Sequence, residues 1–294
     1  MLYNFTLKPI MNHKLKNLFI TLLACLTITA TTNAELKQYS FGVFPYLPAE
    51  KLEQIWSPVA LYMEQQLDVD IIFRTRASFN TFENEIQSET FDIAFIQPFV
   101  YARIASKHNY IPLTRNSSFT DKENRGMLKA IFVTLKENKL LKIADLRGKT
   151  IATPPASSAV SILARDYLLK QGLRAGIDYQ IATYSNHNSC MRQLIINNPI
   201  ACVTSYPPFI RFNRMSNNRL AVMASTNEIP SSLIVVHKRV PEKDMKIIKN
   251  IFLNLQDNDL SRIFLERSSM ASFVPAQDKD YDVVRNILKR INNR

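Results

Sequence analysis

The sequence is poor in the residue types from which metal sites and disulfide scaffolds are built. Its 294 residues include only three cysteines and four histidines. Three cysteines are too few for a disulfide scaffold. His108 and His237 lie far apart, and no acidic cluster stands near either at metal-ligand spacing. We therefore expect no metal site and no cofactor.

A phosphate-binding P-loop and a catalytic nucleophile are also missing. Gly148-Lys149-Thr150 resembles the end of a P-loop. A P-loop also requires a glycine five residues before Gly148, but Ile143 is at that position. His187 and Cys190 offer a base and a thiol, yet no acid is evident to orient the histidine. An enzyme is therefore the least favoured class of function.

The sequence contains no internal repeat and no low-complexity linker. It is 46% hydrophobic and 21% charged, as is typical of globular proteins. Its length suggests one large or two medium-sized domains.

The N-terminus has the features of a secretion signal. Residues 1–34 contain no acid, and Lys14 and Lys16 precede the apolar run of residues 18–30. Thr32-Asn33-Ala34 places small residues at a cleavage site. The run is too short for a transmembrane helix. We expect a periplasmic protein with residues 1–34 as a cleavable signal peptide.

Two points about the N-terminus stay open. Met11 begins a signal of more usual proportions than Met1 does. Leu22-Leu23-Ala24-Cys25 resembles a lipobox, which would make the protein a lipoprotein anchored through Cys25. The mature N-terminus, analysed by mass spectrometry, separates these alternatives.

Export affects the expected charge and the cysteine chemistry. Cleavage after Ala34 removes three lysines and no acid, which leaves 34 basic residues against 25 acids and a net charge of +9. This charge favours anionic ligands, although a basic solvated surface would have the same composition. Cys190 and Cys202 remain, and an oxidising compartment permits a disulfide between them, but spacing in the sequence leaves the bond open.

Short apolar runs alternate with helical patterns along most of the chain, which predicts an α/β fold with parallel sheets. The predicted strands cover residues 38–45, 69–75, 91–96, 129–136, 149–153, 179–184, 200–205, 220–226 and 232–237, with helices between most of them. After Pro241 the pattern is helical to the end. Two consecutive sets of such units, separated near residues 119–126, predict two lobes with a ligand cleft between them.

Ligands of open α/β sheets bind at the carboxyl ends of strands. Candidate residues at such ends are found in both predicted lobes. They are residues 44–46, residues 97–101, Thr134, Ser157, Ser158, residues 184–187, Ser205 and Tyr206. Ser157 and Ser158 precede a predicted helix beginning near Val160, where unpaired backbone N–H groups favour an anion.

The order of these motifs resembles the phosphate/phosphonate substrate-binding proteins of ABC transporters, a branch of the type 2 periplasmic binding proteins. The resemblance spans roughly residues 40–240. It depends on Asp92-Ile93-Ala94, Pro98, Tyr101, Leu146-Arg147-Gly148-Lys149, Pro155 and Ser157-Ser158.

The resemblance implies a two-lobed periplasmic binding protein that closes on a small solute and delivers it to an ABC permease. It implies that Ser157, Ser158 and the Ala159 amide hold anionic oxygens, and that Tyr101 contacts the ligand from the other lobe. Tyr46 and His187 match cleft positions of the family. The expected division is residues 35–125 for the first part of lobe 1, 126–225 for lobe 2, and 226–294 for the return to lobe 1.

The sequence departs from the family pattern where an amine would bind. The acid expected near residues 197–201 is missing, Ala159 replaces a hydroxyl residue and Val160 replaces a glycine. An oxyanion without an amine, such as phosphate, phosphite or a simple phosphonate, therefore fits better than an aminophosphonate. We expect a monomer in either role. A protein that reports its ligand to a membrane receptor kinase is the alternative to a transport protein, because the same closure serves transport and sensing.

Overall fold

The computed structural model describes residues 37–121, 123, 125–139, 142–196 and 200–292. The predicted signal peptide, the motif around Cys25 and residues 197–199 lie outside this set. Within the described residues, no helix combines the length and apolar character needed to cross a membrane.

Helices and strands alternate along most of the described chain. The α-helices are α1 Ala49–Leu67, α2 Phe79–Gln87, α3 Pro98–Arg103, α4 Ala159–Lys170, α5 His187–Ile196, α6 Tyr206–Met215, α7 Glu242–Leu253, α8 Asp259–Ser268 and α9 Asp282–Asn292. The strands are β1 Gln38–Val43, β2 Asp70–Arg74, β3 Ile93–Ile96, β4 Tyr110–Ser118, β5 Met127–Leu128, β6 Ile131–Leu135, β7 Thr150–Thr153, β8 Gln180–Thr183, β9 Ala201–Thr204, β10 Leu220–Ser225, β11 Ile229–Pro230, β12 Leu233–His237 and β13 Met270–Pro275.

A six-stranded sheet in the order β13-β4-β12-β3-β1-β2 forms one half of the fold. Strands β1, β2 and β3 run parallel, whereas β12 is antiparallel to β3 and β4. Its core is aromatic: the fully buried Trp56 ring lies 4.7 Å from the rings of Phe95 and Phe264. Helices α1 and α8, which carry Trp56 and Phe264, pack together over this face.

A five-stranded sheet in the order β10-β6-β9-β7-β8 forms the other half. Strand β7 runs parallel to β8 and β9, and β6 is antiparallel to β9 and β10. A disulfide between Cys190 and Cys202, whose Cα atoms are 5.9 Å apart, joins α5 to β9 in the core. This bond fixes the start of α5 over the sheet.

The chain passes between the two sheets twice, and the two passages lie side by side. It leaves the six-stranded sheet after β4 and returns to it after β10. The short strands β5 and β11 belong to these passages and pair antiparallel, Met127 opposite Pro230 and Leu128 opposite Ile229. The predicted divisions at residues 125 and 225 stay predictions.

Two expectations from the sequence about the sheets and the C-terminal part are wrong. Both sheets are mixed rather than wholly parallel. The chain after Pro241 is also not wholly helical, because β13 returns to the edge of the six-stranded sheet. Strand β4 escaped prediction, since its second half, Thr114 to Ser118, is polar. Pairing on both sides, with β12 and β13, makes it a strand.

Gly42 provides a test of the packing in the six-stranded sheet. A Cβ atom at this position of β1 would lie 2.7 Å from the ring of Phe91, which is fully buried and stacked on Phe82. We expect Gly42→Ala to lower the free energy of unfolding by about 1–3 kcal/mol through overpacking. Urea denaturation of the mature protein measures this change.

The double variant Gly42→Ala with Phe91→Leu is the control for that mechanism. If the clash is the cause, the double variant loses less stability than the sum of the two single losses, because the smaller side chain makes room for the added methyl group. Strictly additive losses would contradict the proposed clash.

Candidate functional site

A cavity of about 1140 Å³ opens where strands of both sheets end. Tyr46 follows β1 and Arg76 follows β2 on one side of it. On the other side, His187 follows β8 and Tyr206 follows β9. The cavity therefore lies in a cleft between the two sheets. Its position at the carboxyl ends of strands is the usual position of a ligand site in α/β folds.

Tyr46 brings a neutral hydroxyl group to the cavity wall. Its ring packs against Phe44 with the centroids 5.0 Å apart, and its Oη accepts a hydrogen bond of 3.0 Å from the indole N–H of Trp56. Burial raises the pKa of Tyr46 far above its usual value. The phenol therefore stays protonated, and its O–H can donate to a ligand.

His187, the first residue of α5, is also uncharged at neutral pH. Its Nδ1 lies 2.8 Å from Oγ1 of Thr204, at the end of β9. Burial, and to a smaller extent the nearby positive charge of Arg211, lower the pKa of His187 to about 4. His187 thus supplies a hydrogen bond to the cavity rather than a charge.

The positive charge of the cavity comes from arginines that sequence reasoning missed. Arg192 on α5, Arg211 on α6 and Arg267 on α8 line the wall. Arg211 donates to Ser269 Oγ and Arg267 to the backbone oxygen of Gln54. Within the described part of the chain, none of the three forms an ion pair with a carboxylate. Arg192 and Arg211 each lie five positions after a predicted contact, His187 and Tyr206, and only residues three or four apart share a helix face, so the spacing gave no signal for them.

The acidic side chains of the cavity wall already have partners within the protein. Glu228 binds Arg125 and also pairs with Lys129 at 3.3 Å, and Glu123 pairs with Arg125 at 2.7 Å. Asp121 accepts hydrogen bonds from the backbone N–H groups of residues 126 and 127. The cavity therefore has an excess of positive charge.

The predicted anion seat lies apart from this cavity. Ser158 caps α4 with a side chain that accepts from the N–H of Ser161 and donates to its hydroxyl. The N–H of Ala159 donates to Oε1 of Gln97 at 3.0 Å. Ser157 is half-buried. None of the three serine and alanine positions lines the cavity, and ligand contact there stays a prediction.

Tyr101 is likewise separate from the cavity wall. It is 1% exposed, its hydroxyl donates to Asp278 at 2.7 Å, and its ring lies 4.9 Å from that of Tyr281. Arg285 on α9 binds the same Asp278 carboxylate. Of the predicted contacts, the structure thus brings together Tyr46, His187 and Tyr206 and leaves Tyr101 in a packed network.

No group of three potential metal-ligating side chains is found among the described residues.

Comparison with known proteins identifies the family. The model of the family described as "ABC transporter, phosphonate, periplasmic substrate-binding protein" matches residues 41–281. The chain belongs to this family. It is a two-lobed periplasmic binding protein of a transporter, not an enzyme, and its partner is an ABC permease. The predicted family, fold class and role in solute capture are confirmed.

Solved structures of binding proteins share the fold at low sequence identity. PhnD1 from Prochlorococcus marinus in complex with methylphosphonate has a TM-score of 0.73 and 16% identity, over 88% of this chain and 99% of that one. A binding protein component of an ABC phosphonate transporter from Pseudomonas aeruginosa has a TM-score of 0.69 and 13% identity, over 86% and 85%. A Xanthomonas citri protein bound to ATP has a TM-score of 0.72 and 11% identity, over 87% and 98%.

The depressed pKa of His187 predicts how the stability of the binding protein depends on pH. A neutral histidine with a folded-state pKa of about 4 contributes stability that is present above the unfolded value of about 6.5 and is lost as the pH falls toward 4. We expect the stability advantage of the wild type over His187→Asn to shrink by about 1–2 kcal/mol between pH 7 and pH 4, because water screens part of the effect at a half-buried ring.

Urea denaturation of both proteins across that pH range measures the difference. Titration of the His187 imidazole by NMR is an independent check, with an expected midpoint of about 4. A midpoint near 6.5, or parallel stability curves for the two proteins, would contradict the prediction.

Proposed function

We propose that this binding protein captures a phosphorus oxyanion that lacks an amine, such as phosphate, phosphite or a simple phosphonate, and delivers it to the permease. The observation that supports this most is the cavity wall, where Arg192 and Arg211 have no carboxylate partner among the described residues. A guanidinium group offers two parallel N–H donors, which match the spacing of two phosphonate oxygens.

The groups around these arginines favour an anion as well. Helices α5 and α6 begin at the cavity, and the positive end of a helix dipole stabilises negative charge. Neutral Tyr46 and His187 add hydrogen bonds without adding negative charge. A ligand bound there would therefore exchange its hydration for several fixed donors.

A ligand amine would find no available carboxylate in this wall. Glu123 and Glu228 are already paired with Arg125 and Lys129. Ile200 and Ala201, where an acid is expected, are apolar. The structural neighbour from Prochlorococcus marinus holds methylphosphonate, which also has no amine.

Capture would involve closure of the two lobes about the paired passages at β5 and β11. Tyr46 approaches the ligand from the six-stranded sheet, and His187 and Tyr206 approach it from the five-stranded sheet. Closure on a ligand that both sides contact is the usual behaviour of periplasmic binding proteins. The permease then recognises the closed form of the monomer.

We also propose that the mature protein begins at Glu35, after cleavage behind Ala34. Mass spectrometry of the protein from both the periplasmic and the membrane fraction tests this. A lipidated N-terminus at Cys25 would replace the cleavable signal with a lipoprotein anchor.

A thermal-shift screen of the mature protein tests the ligand class. The compounds are phosphate, phosphite, methylphosphonate, phenylphosphonate, and the matched pair ethylphosphonate and 2-aminoethylphosphonate. A ligand that binds only the folded state raises the melting temperature. We expect at least one phosphorus oxyanion to do so, and 2-aminoethylphosphonate to bind no better than ethylphosphonate. The proposal fails if no phosphorus oxyanion shifts the transition.

Arg211→Gln tests the site itself, with phenylphosphonate as the probe in isothermal titration calorimetry. We expect the affinity to fall by about tenfold or more, since a charge-assisted hydrogen bond is lost. Arg214→Gln is the matched control: it removes the same charge from the same helix, but Arg214 does not line the cavity. An equal loss in both variants would mean that net charge alone, and not this site, attracts the anion.

A further inference from the structure

A free backbone N–H in the first turn of α4 is already hydrogen-bonded, and its partner is a side chain that follows a strand of the other sheet. Gln97 directly follows β3 of the six-stranded sheet, and α4 follows β7 of the five-stranded sheet. The Gln97 amide oxygen accepts the Ala159 N–H at 3.0 Å. Gln97 is 5% exposed and Ala159 is 7% exposed, so water has little access to this bond.

The contact uses the groups that a small oxyanion would need. An anion at a helix start binds the first free N–H groups of that helix. At α4, the Ala159 N–H is bound to Gln97 and the Ser161 N–H to Ser158 Oγ. The Ser158 hydroxyl donates to Ser161 Oγ at 2.9 Å. The protein itself thus supplies the acceptors for these donors.

A second contact holds α4 in the same position. Arg290 on α9 binds both oxygens of the buried Asp166 carboxylate on α4, at 2.8 and 3.0 Å. Helix α9 also packs against α3, the helix that begins directly after Gln97. Consequently α4 is fixed against the Gln97 side of the cleft at two points along its length.

The open space lies elsewhere, in the cavity of about 1140 Å³, and part of its wall is aromatic. Tyr46 and Tyr206 contribute rings to it. An inorganic phosphate has no apolar group to pack on these rings, whereas a solute with an organic group could pack against them when the lobes close.

We propose that Gln97 is a specificity-determining residue, whose side-chain oxygen takes the place of an anion oxygen at the start of α4. The protein therefore selects organophosphorus anions with a sizeable organic group, held by Arg192 and Arg211 at the charged end and by Tyr46 and Tyr206 at the other. This inference rests on the proposed function and narrows its ligand class from phosphorus oxyanions in general.

The test is calorimetric titration of the mature protein with inorganic phosphate, methylphosphonate and phenylphosphonate. For the wild type, we expect phenylphosphonate to bind at least about tenfold more tightly than the two smaller anions. For Gln97→Ala, we expect the affinity for phosphate and methylphosphonate to rise by about tenfold or more, because the Ala159 N–H becomes available to them. The affinity for phenylphosphonate should change by less than about threefold.

Gln97→Glu is the matched control. It keeps an oxygen acceptor of the same reach for the Ala159 N–H and adds a negative charge, so it should give no gain for either small anion. The order in which the wild-type protein binds phosphate, methylphosphonate and phenylphosphonate can be measured without any variant. The inference therefore stays testable if Gln97→Ala is unstable.

Two outcomes would overturn the inference. One is a wild-type protein that binds phosphate or methylphosphonate as tightly as phenylphosphonate. The other is a folded Gln97→Ala protein with unchanged affinity for the small anions. If phenylphosphonate binding still depends on Arg211 in that case, the proposed function stands and the role of Gln97 alone is refuted. If phosphorus oxyanions bind to no variant, the proposed function fails.

Discussion

The two passages of the chain between the sheets are the constraint on which the rest of the molecule depends. Because β5 and β11 pair with each other, both passages lie at one place, and buried residues of both sheets belong to one continuous apolar core. The six-stranded sheet is organised around Trp56, and the five-stranded sheet around the Cys190–Cys202 disulfide. Strand ends from both sheets then face one cleft, so a ligand that binds there can contact residues of both sheets.

The sequence predicted the architecture where local patterns decide it and missed it where pairing decides it. Tyr46, His187 and Tyr206 were identified by the rule that ligands bind at strand ends, and all three line the cavity. Strand β4 could not be recognised, since its polar second half becomes a strand only between β12 and β13. The contact between Gln97 and Ala159 joins residues 62 positions apart, and no local pattern reports such a bond.

The charges of the cleft suit a protein that must release its ligand. The uncharged Tyr46 and His187 add orientation without strong Coulombic attraction. The arginines supply charge near solvent, where the high dielectric constant of water weakens each ion pair. A fully buried ion pair would bind an anion more rigidly and would incur a larger desolvation cost whenever the lobes closed on it. The observed arrangement favours capture by several interactions of moderate strength, all of which can break when the lobes open and release the ligand.

The departures of the anion motif and the position of Gln97 have one explanation. At the start of α4, Ala159 and Val160 lack the hydroxyl and the flexibility that the family pattern provides. The side-chain oxygen of Gln97, which follows β3, and an oxygen of a small anion would both use the Ala159 N–H, so only one of them can be bound there. Gln97 satisfies that N–H from within the protein. A helix start that the sequence predicts as an anion-binding site can therefore form a contact between the lobes. Whether it can bind an anion depends on whether a side chain such as Gln97 already accepts its free N–H.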